Sequence, residues 1–255
     1  MAIKPHKRSR CAVMLPLLLA ALSAGCSSTD SKCKVDTSYN PSINAGAFVA
    51  AVTNPLFPLQ PGTVFVYAEG EDTVEVTVLA EKKTILGVSC TIVHDVLRSG
   101  TEVIEDTYDW FAQDTAGAVW YFGEDTKEMS GGHVVSTKGS WEAGVDGAQP
   151  GILIPSHPSV GQQYRQEYYA CVAEDMGEVL DLNASADVPF GTFTNCLRTR
   201  DFTPLEPDVN ENKYYFPGIG PLLTVDLTNG TREELVRVTV PTVSLPKGSS
   251  SKDGC

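Results

Sequence analysis

Thr73-Val-Glu-Val-Thr-Val-Leu79 alternates β-branched with polar residues, and Thr63-Val-Phe-Val-Tyr67 just before it has the same period. Successive side chains of a strand point to opposite faces, so a period of two marks a half-buried β-strand. Leu86–His94 continues the pattern after a break at Gly87, and Val103–Phe111 and Ala118–Phe122 repeat it. Between those last two runs, Gln113-Asp-Thr-Ala-Gly117 reads as a hairpin loop in which Gly117 supplies a positive φ. Gly177–Leu182, Thr192–Arg200, Tyr214–Phe216 and Glu234–Val240 are further strands, punctuated by Asp187-Val-Pro-Phe-Gly191 and Phe216-Pro-Gly-Ile-Gly-Pro221. Helix is confined to Asn44–Thr53 and Tyr168–Gly177. The fold class is mainly β.

Aligned with one another, these runs form two weakly similar units, about 61–125 and 160–228. Each reads as entry turn, two strands, glycine turn, strand, and an aromatic strand ending in a glycine-bearing loop. Two such meanders pack as one curved antiparallel sheet or as two facing sheets. Three segments carry a resemblance: Phe57-Pro-Leu-Gln-Pro-Gly-Thr-Val-Phe-Val-Tyr67, Val188-Pro-Phe-Gly-Thr-Phe193 and Tyr214-Tyr-Phe-Pro-Gly-Ile-Gly220. In these the chain resembles uncharacterised exported bacterial lipoproteins. The resemblance, over about residues 55–228, implies a half-barrel like that of lipoprotein carriers, and it brings no activity or catalytic residues with it.

Outward from this body, residues 1–25 have the layout of a signal peptide: a basic head with Lys4, Lys7, Arg8 and Arg10, an apolar run from Cys11 to Leu22, then small residues before Cys26. The layout is similar to that of bacterial lipoproteins, which implies cleavage before Cys26, lipid on its sulfur and an exported chain anchored to the cell envelope. Ser27 after the cysteine, by analogy with enterobacterial sorting, implies the outer membrane. An ordinary signal peptide cut near Ala24 is the alternative. The apolar run is too short for the ~20 residues that span a bilayer. Residues 26–47 read as a polar tether, 48–245 as one β-rich domain and 246–255 as a polar tail.

Removing residues 1–25 takes away four basic and no acidic residues, so the formal charge moves from −13 to −17. A chain this acidic is repelled by phosphate backbones, which excludes nucleic acid as a partner. Cys33, Cys90, Cys171, Cys196 and Cys255 follow Cys26. In an oxidising compartment Cys33 and Cys255, near the two chain ends, are the first pair expected to form a disulfide.

The densest chemistry is Glu105–Asp125. There Asp106, Tyr108 and Trp110 share one strand face, Thr107, Asp109 and Phe111 the other, and Trp120 and Glu124 follow. Carboxylates interleaved with aromatics suit a cleft for a cation, a sugar or an amine; equally, the aromatics pack a core while the acids meet water. Glu174 belongs to a second acidic cluster at 167–178, and Trp141 to a long loop that either covers the concave face or connects the two units. Asp106, Tyr108, Asp109, Trp110, Trp120, Glu124, Trp141 and Glu174 are therefore the candidate ligand-binding residues. His94, His133 and His157 lack the spacing of a zinc site, no Gly-x-Ser-x-Gly elbow occurs and no phosphate loop occurs, so neither catalytic residue, metal site nor cofactor is assigned. The reading is a non-catalytic, lipid-anchored scaffold for a small or amphipathic ligand or a partner protein. Its alternative is a hydrolase, or a calcium-binding protein, that uses these acids with His94 or His133.

Overall fold

The computed structural model describes residues 35–241. Cys26, Cys33, Cys255, the signal segment and the polar tail lie outside the described residues. Five consecutive antiparallel strands open the body: β1 (Val64–Glu69), β2 (Asp72–Ile85), β3 (Val88–Ser99), β4 (Glu102–Gln113) and β5 (Val119–Ser130). Shorter pieces follow as β6 (His133–Ser136), β7 (Trp141–Glu142), β8 (Gln149–Ile154), β9 (Gln163–Arg165) and β10 (Glu167–Tyr168). A second consecutive run closes the chain: β11 (Met176–Val188), β12 (Gly191–Phe202), β13 (Asn210–Phe216), β14 (Gly220–Asp226) and β15 (Arg232–Thr239).

All of them join one open, curved antiparallel sheet, in the order β10-β8-β5-β4-β3-β2-β1-β15-β14-β13-β12-β11-β9, with β6 and β7 also on β5. The two runs meet where β1 pairs β15, from Val64 opposite Thr239 to Glu69 opposite Glu233. Bulges shift the register at Leu97/Arg98, at Asp109/Phe111 and three times between β11 and β12. Each bulge adds bend and twist, which is how so broad a sheet curls round its own inner face. The core lies on that face: Phe65, Tyr67, Val74, Val78, Val93, Leu97, Tyr121, Val179, Leu222 and Leu235 are all buried.

Among the described residues, no ladder closes the sheet into a barrel. Instead the chain itself passes from one edge to the other. Gln163–Arg165 pair β11, and two residues later Glu167 and Tyr168 pair β8. The crossing depends on Gly151 of β8, where a Cβ would stand 2.3 Å from the Gln166 carbonyl carbon and oxygen. Outside the crossing, Arg165 is held by Asp36 at 2.9 Å, and Tyr39 donates to the Pro150 carbonyl at 2.9 Å. Gly123 plays the same part at β7: its φ is 131°, and a Cβ there would meet the Trp141 carbonyl oxygen at 2.2 Å.

The strands expected from the period of two are present, and the loop at 113–117 is a turn in which Gly117 has φ 98°. Neither expected helix forms. Asn44–Thr53 holds a single 3₁₀ turn, Ala45–Ala47, in which the Asn44 side chain accepts the Gly46 N–H. Tyr168–Gly177 is a tight reversal in which Tyr169 bridges Ala173. There Cys171 sits at φ 66° and is disulfide-bonded. A left-handed residue in a cross-link cannot continue a right-handed helix.

Candidate functional site

The concave face holds a cavity of about 200 Å³, walled by both runs of strands. The register explains its lining, because residues directly opposite in a ladder project to the same side. One row runs Val78–Val93–Asp109–Glu124–Trp141 across β2, β3, β4, β5 and β7. The next runs Val76–Asp95–Thr107–Thr126. From the other run of strands, Thr199–Lys213–Thr224–Glu233 leads to Glu69 on β1, and Asp201–Glu211–Asp226 lies beside it. Phe57, Tyr67, Phe111, Tyr121 and Tyr215 give the cavity aromatic walls. Phe111 and Tyr121 stack at 4.9 Å, and Phe57 meets Phe111 edge-on at 5.1 Å.

Acids therefore stand opposite acids: Asp109 faces Glu124, Glu211 faces Asp226, and Glu69 faces Glu233. Like charges directly across a ladder oppose folding. Part of the array is bound internally. Tyr121 donates its hydroxyl to Asp109 Oδ1 at 2.7 Å, and Thr107 donates to Thr126 at 2.7 Å. Lys213, the one basic residue of the lining, lies 3.0 Å from Asp201 and 3.8 Å from Glu211. Gln166 and Thr199 also donate to Asp201, at 3.0 and 2.9 Å.

Behind the cavity the acids are sealed from water. Trp141 donates its indole N–H to Glu167 Oε2 at 2.8 Å, and Glu167 has no exposed surface. Glu124 is 2% exposed, and its Oε1 has no hydrogen-bond partner; Oε1 of Glu167 and Oδ1 of Asp175 lack one too. Burial disfavours the charged form of a carboxyl, and neighbouring carboxylates add to the effect. Burial, then Glu167 and Asp109, holds Glu124 well above the usual range. Burial, then Asp175, does the same to Glu167, against the indole hydrogen bond. Asp175 is pushed up to about 7 by burial, although Lys213 pulls it down. Glu211 is pushed up to about 8 by burial against the same lysine.

Of the eight residues singled out from the sequence, Asp109 and Glu124 line the cavity, and Trp141 sits beside them against Tyr121 at 5.4 Å. Trp141 extends the sheet alongside β5, so it is not a cover over the concave face. Asp106, Tyr108 and Trp110 project from the opposite, convex side. There His94 lies 3.2 Å from Asp106 and stacks on Tyr108 at 4.2 Å, while Lys83 sits 3.3 Å over Trp110. Trp120 shares that side, donating to Asp114 and packing on Phe48. Glu174 accepts the Cys171 N–H at 2.8 Å and caps the reversal before β11. His133 is exposed at the β5–β6 turn, and so neither it nor His94 reaches the cavity acids. Among the described residues, no group of three His, Cys, Asp or Glu side chains is placed to hold a metal ion.

The residues that sequence reading passed over are Glu69, Asp95, Glu211, Lys213 and Glu233. A signal for them exists in Glu211-Asn-Lys-Tyr-Tyr215, where both faces of one strand carry polar groups. A strand packed on a dry core has one apolar face, so this composition marks a wet inner face.

No protein-family model matches the chain, and no curated protein matches it. Among solved structures it is similar to the crystal structure of "a putative lipoprotein from Parabacteroides distasonis ATCC 8503", at 12% identity over 73% of this chain and 99% of that one, with a TM-score of 0.38. At that distance the likeness is loose and carries no functional information.

Proposed function

We propose that the chain is an exported protein of the bacterial envelope, tied to the membrane through lipid on Cys26, whose curved sheet holds a small ligand on its concave face without transforming it. The observation that carries this reading is the cavity itself. Both runs of strands wall it, aromatic rings line it, and polar groups converge on it, the usual composition of a small-molecule site. Anchoring rests on the basic head, short apolar run and Cys26 of the leading segment. Among the described residues, no helix is long and apolar enough to cross a membrane.

Two measurements test the two parts. A Cys26→Ser variant should leave the membrane fraction; one that stays there like the parent refutes the anchor. Native mass spectrometry of the detergent-extracted protein should find a small molecule on the parent but not on Val76→Trp, which fills the cavity from β2. A molecule bound equally to both refutes the cavity as its seat.

A further inference from the structure

The carboxyl groups around the cavity are the wrong ones for a structural core. Asp109 stands opposite Glu124, Glu211 opposite Asp226 and Glu69 opposite Glu233, all turned to the same side. Lys213 is the one basic lining residue, and Asp201 and Glu211 already hold it. Such pairs oppose folding unless protonation, as at Glu124 and Glu211, or a positive group relieves the repulsion. Glu124 adds a second, independent observation. It is 2% exposed, it lines the cavity, and its Oε1 has no hydrogen-bond partner. An oxygen so placed is an acceptor without a donor, and burial makes that vacancy costly.

The missing donor has a recognisable character. An anion is repelled by this wall. The carboxyls are spread along the wall, with no three gathered on one point among the described residues, which suits a cation larger than a metal ion. Rings supply the rest: Tyr67, Phe111, Tyr121 and Tyr215 border the same space, and a ring face attracts an ammonium through its quadrupole. The space of about 200 Å³ is on the scale of a cavity that takes up a small organic molecule, since one of about 150 Å³ admits benzene.

We infer that the cavity binds a small organic ammonium, its N–H groups donating to Glu124 and Asp109 and its carbon body lying against Phe111 and Tyr121. This rests on reading the concave cavity as a ligand site, and it adds the chemical class. Asp109 already accepts from Tyr121 at 2.7 Å, so that ring is held in place before the ligand arrives.

The test is calorimetric titration of the detergent-extracted, full mature protein with phenethylammonium, 1,4-diaminobutane, 2-phenylethanol, phenylacetate and calcium. Phenethylammonium should bind at least about tenfold more tightly than 2-phenylethanol, a difference of about 1.4 kcal/mol. Glu124→Gln should weaken it by about tenfold or more, and Asp106→Asn, on the convex face, should leave it unchanged. Asp109→Asn serves as a second variant if circular dichroism shows that Glu124→Gln does not fold. If 2-phenylethanol or phenylacetate binds as tightly as the amine and Val76→Trp abolishes it, the cationic class is overturned while the ligand cavity stands. Binding of calcium alone also overturns the class. If no probe binds and no co-purified molecule depends on Val76, both readings fail.

Discussion

Raising the pH should weaken this fold across a range where most proteins are indifferent. Glu211 is pushed up to about 8 and Asp175 to about 7, from ordinary values of 4.5 and 3.8. Between pH 5 and 7 the folded chain therefore keeps protons that the unfolded chain has released. Stability rises with pH only where the unfolded state binds more protons, so here it must fall. The sign is opposite to that of an ordinary salt-bridged carboxylate. Each such group contributes a slope of about 1 kcal/mol per pH unit, so Glu211 alone costs roughly 2 kcal/mol between pH 5 and 7, and Asp175 adds to it in the same direction. Glu124 and Glu167 are raised in the same direction. Asp36 is lowered from 3.8, mainly by its hydrogen bonds from Ser38, so what it adds is lost only at more acidic pH, below this window. The assay is urea denaturation at half-unit steps from pH 5 to 8, followed by the fluorescence of the three tryptophans. Glu211→Gln isolates the cause, because an amide resembles the neutral carboxyl and cannot ionise. That variant should lie within about 1 kcal/mol of the parent at pH 5 and gain on it by roughly 1 kcal/mol per unit from pH 5.5 to 7.5. A parent whose stability is flat or rises from pH 5 to 7, or a Glu211→Gln variant with the parent's slope, refutes the reasoning.

Three further outcomes are expected. Gly151→Ala should cost about 1–3 kcal/mol in denaturant unfolding, since the added Cβ meets backbone that cannot swing away; an unchanged midpoint would count against the crossing at Gln166. Peptide mapping without reductant should find Cys171 cross-linked, and we expect its partner to be Cys33, because Arg165 and the Tyr168 hydroxyl hold Asp36, three residues further along the chain; a Cys33–Cys255 link with Cys171 reduced would overturn this. Cys90 and Cys196 are free and buried, with burial raising both thiols and Cys90 to about 12. Iodoacetamide at pH 8 should spare both until the chain is unfolded, and rapid labelling of the native protein would contradict that burial.

How far the site can be read from the residues depends on parity. The alternation in Asp106-Thr-Tyr-Asp-Trp-Phe111 separates the two faces correctly: Asp106, Tyr108 and Trp110 go one way, Thr107, Asp109 and Phe111 the other. Which face is concave is set by bulges and by the β1–β15 pairing, and neither leaves a mark on a single strand. Both faces carry an acid and an aromatic, so composition could not choose between them. The strands themselves are legible because β-branched residues alternate locally. Tyr168–Gly177 misleads for the converse reason. It has no glycine or proline before Gly177, and the cross-link at Cys171 and the cap from Glu174 override a stretch that looks helical.

The crossing at Gln166 also bears on how the chain avoids sticking to its own copies. An open sheet has two edges, and each exposed edge is a template on which another chain can add a strand. Here six consecutive residues, 163–168, pair with part of each, Gln163–Arg165 with Met176–Glu178 of β11 and Glu167–Tyr168 with Gln149 and Pro150 of β8. One short segment thus guards two vulnerable borders at once. Anything that dislodges it, whether bulk at Gly151 or loss of the Asp36 contact to Arg165, should release both edges together and leave the chain a seed for aggregation.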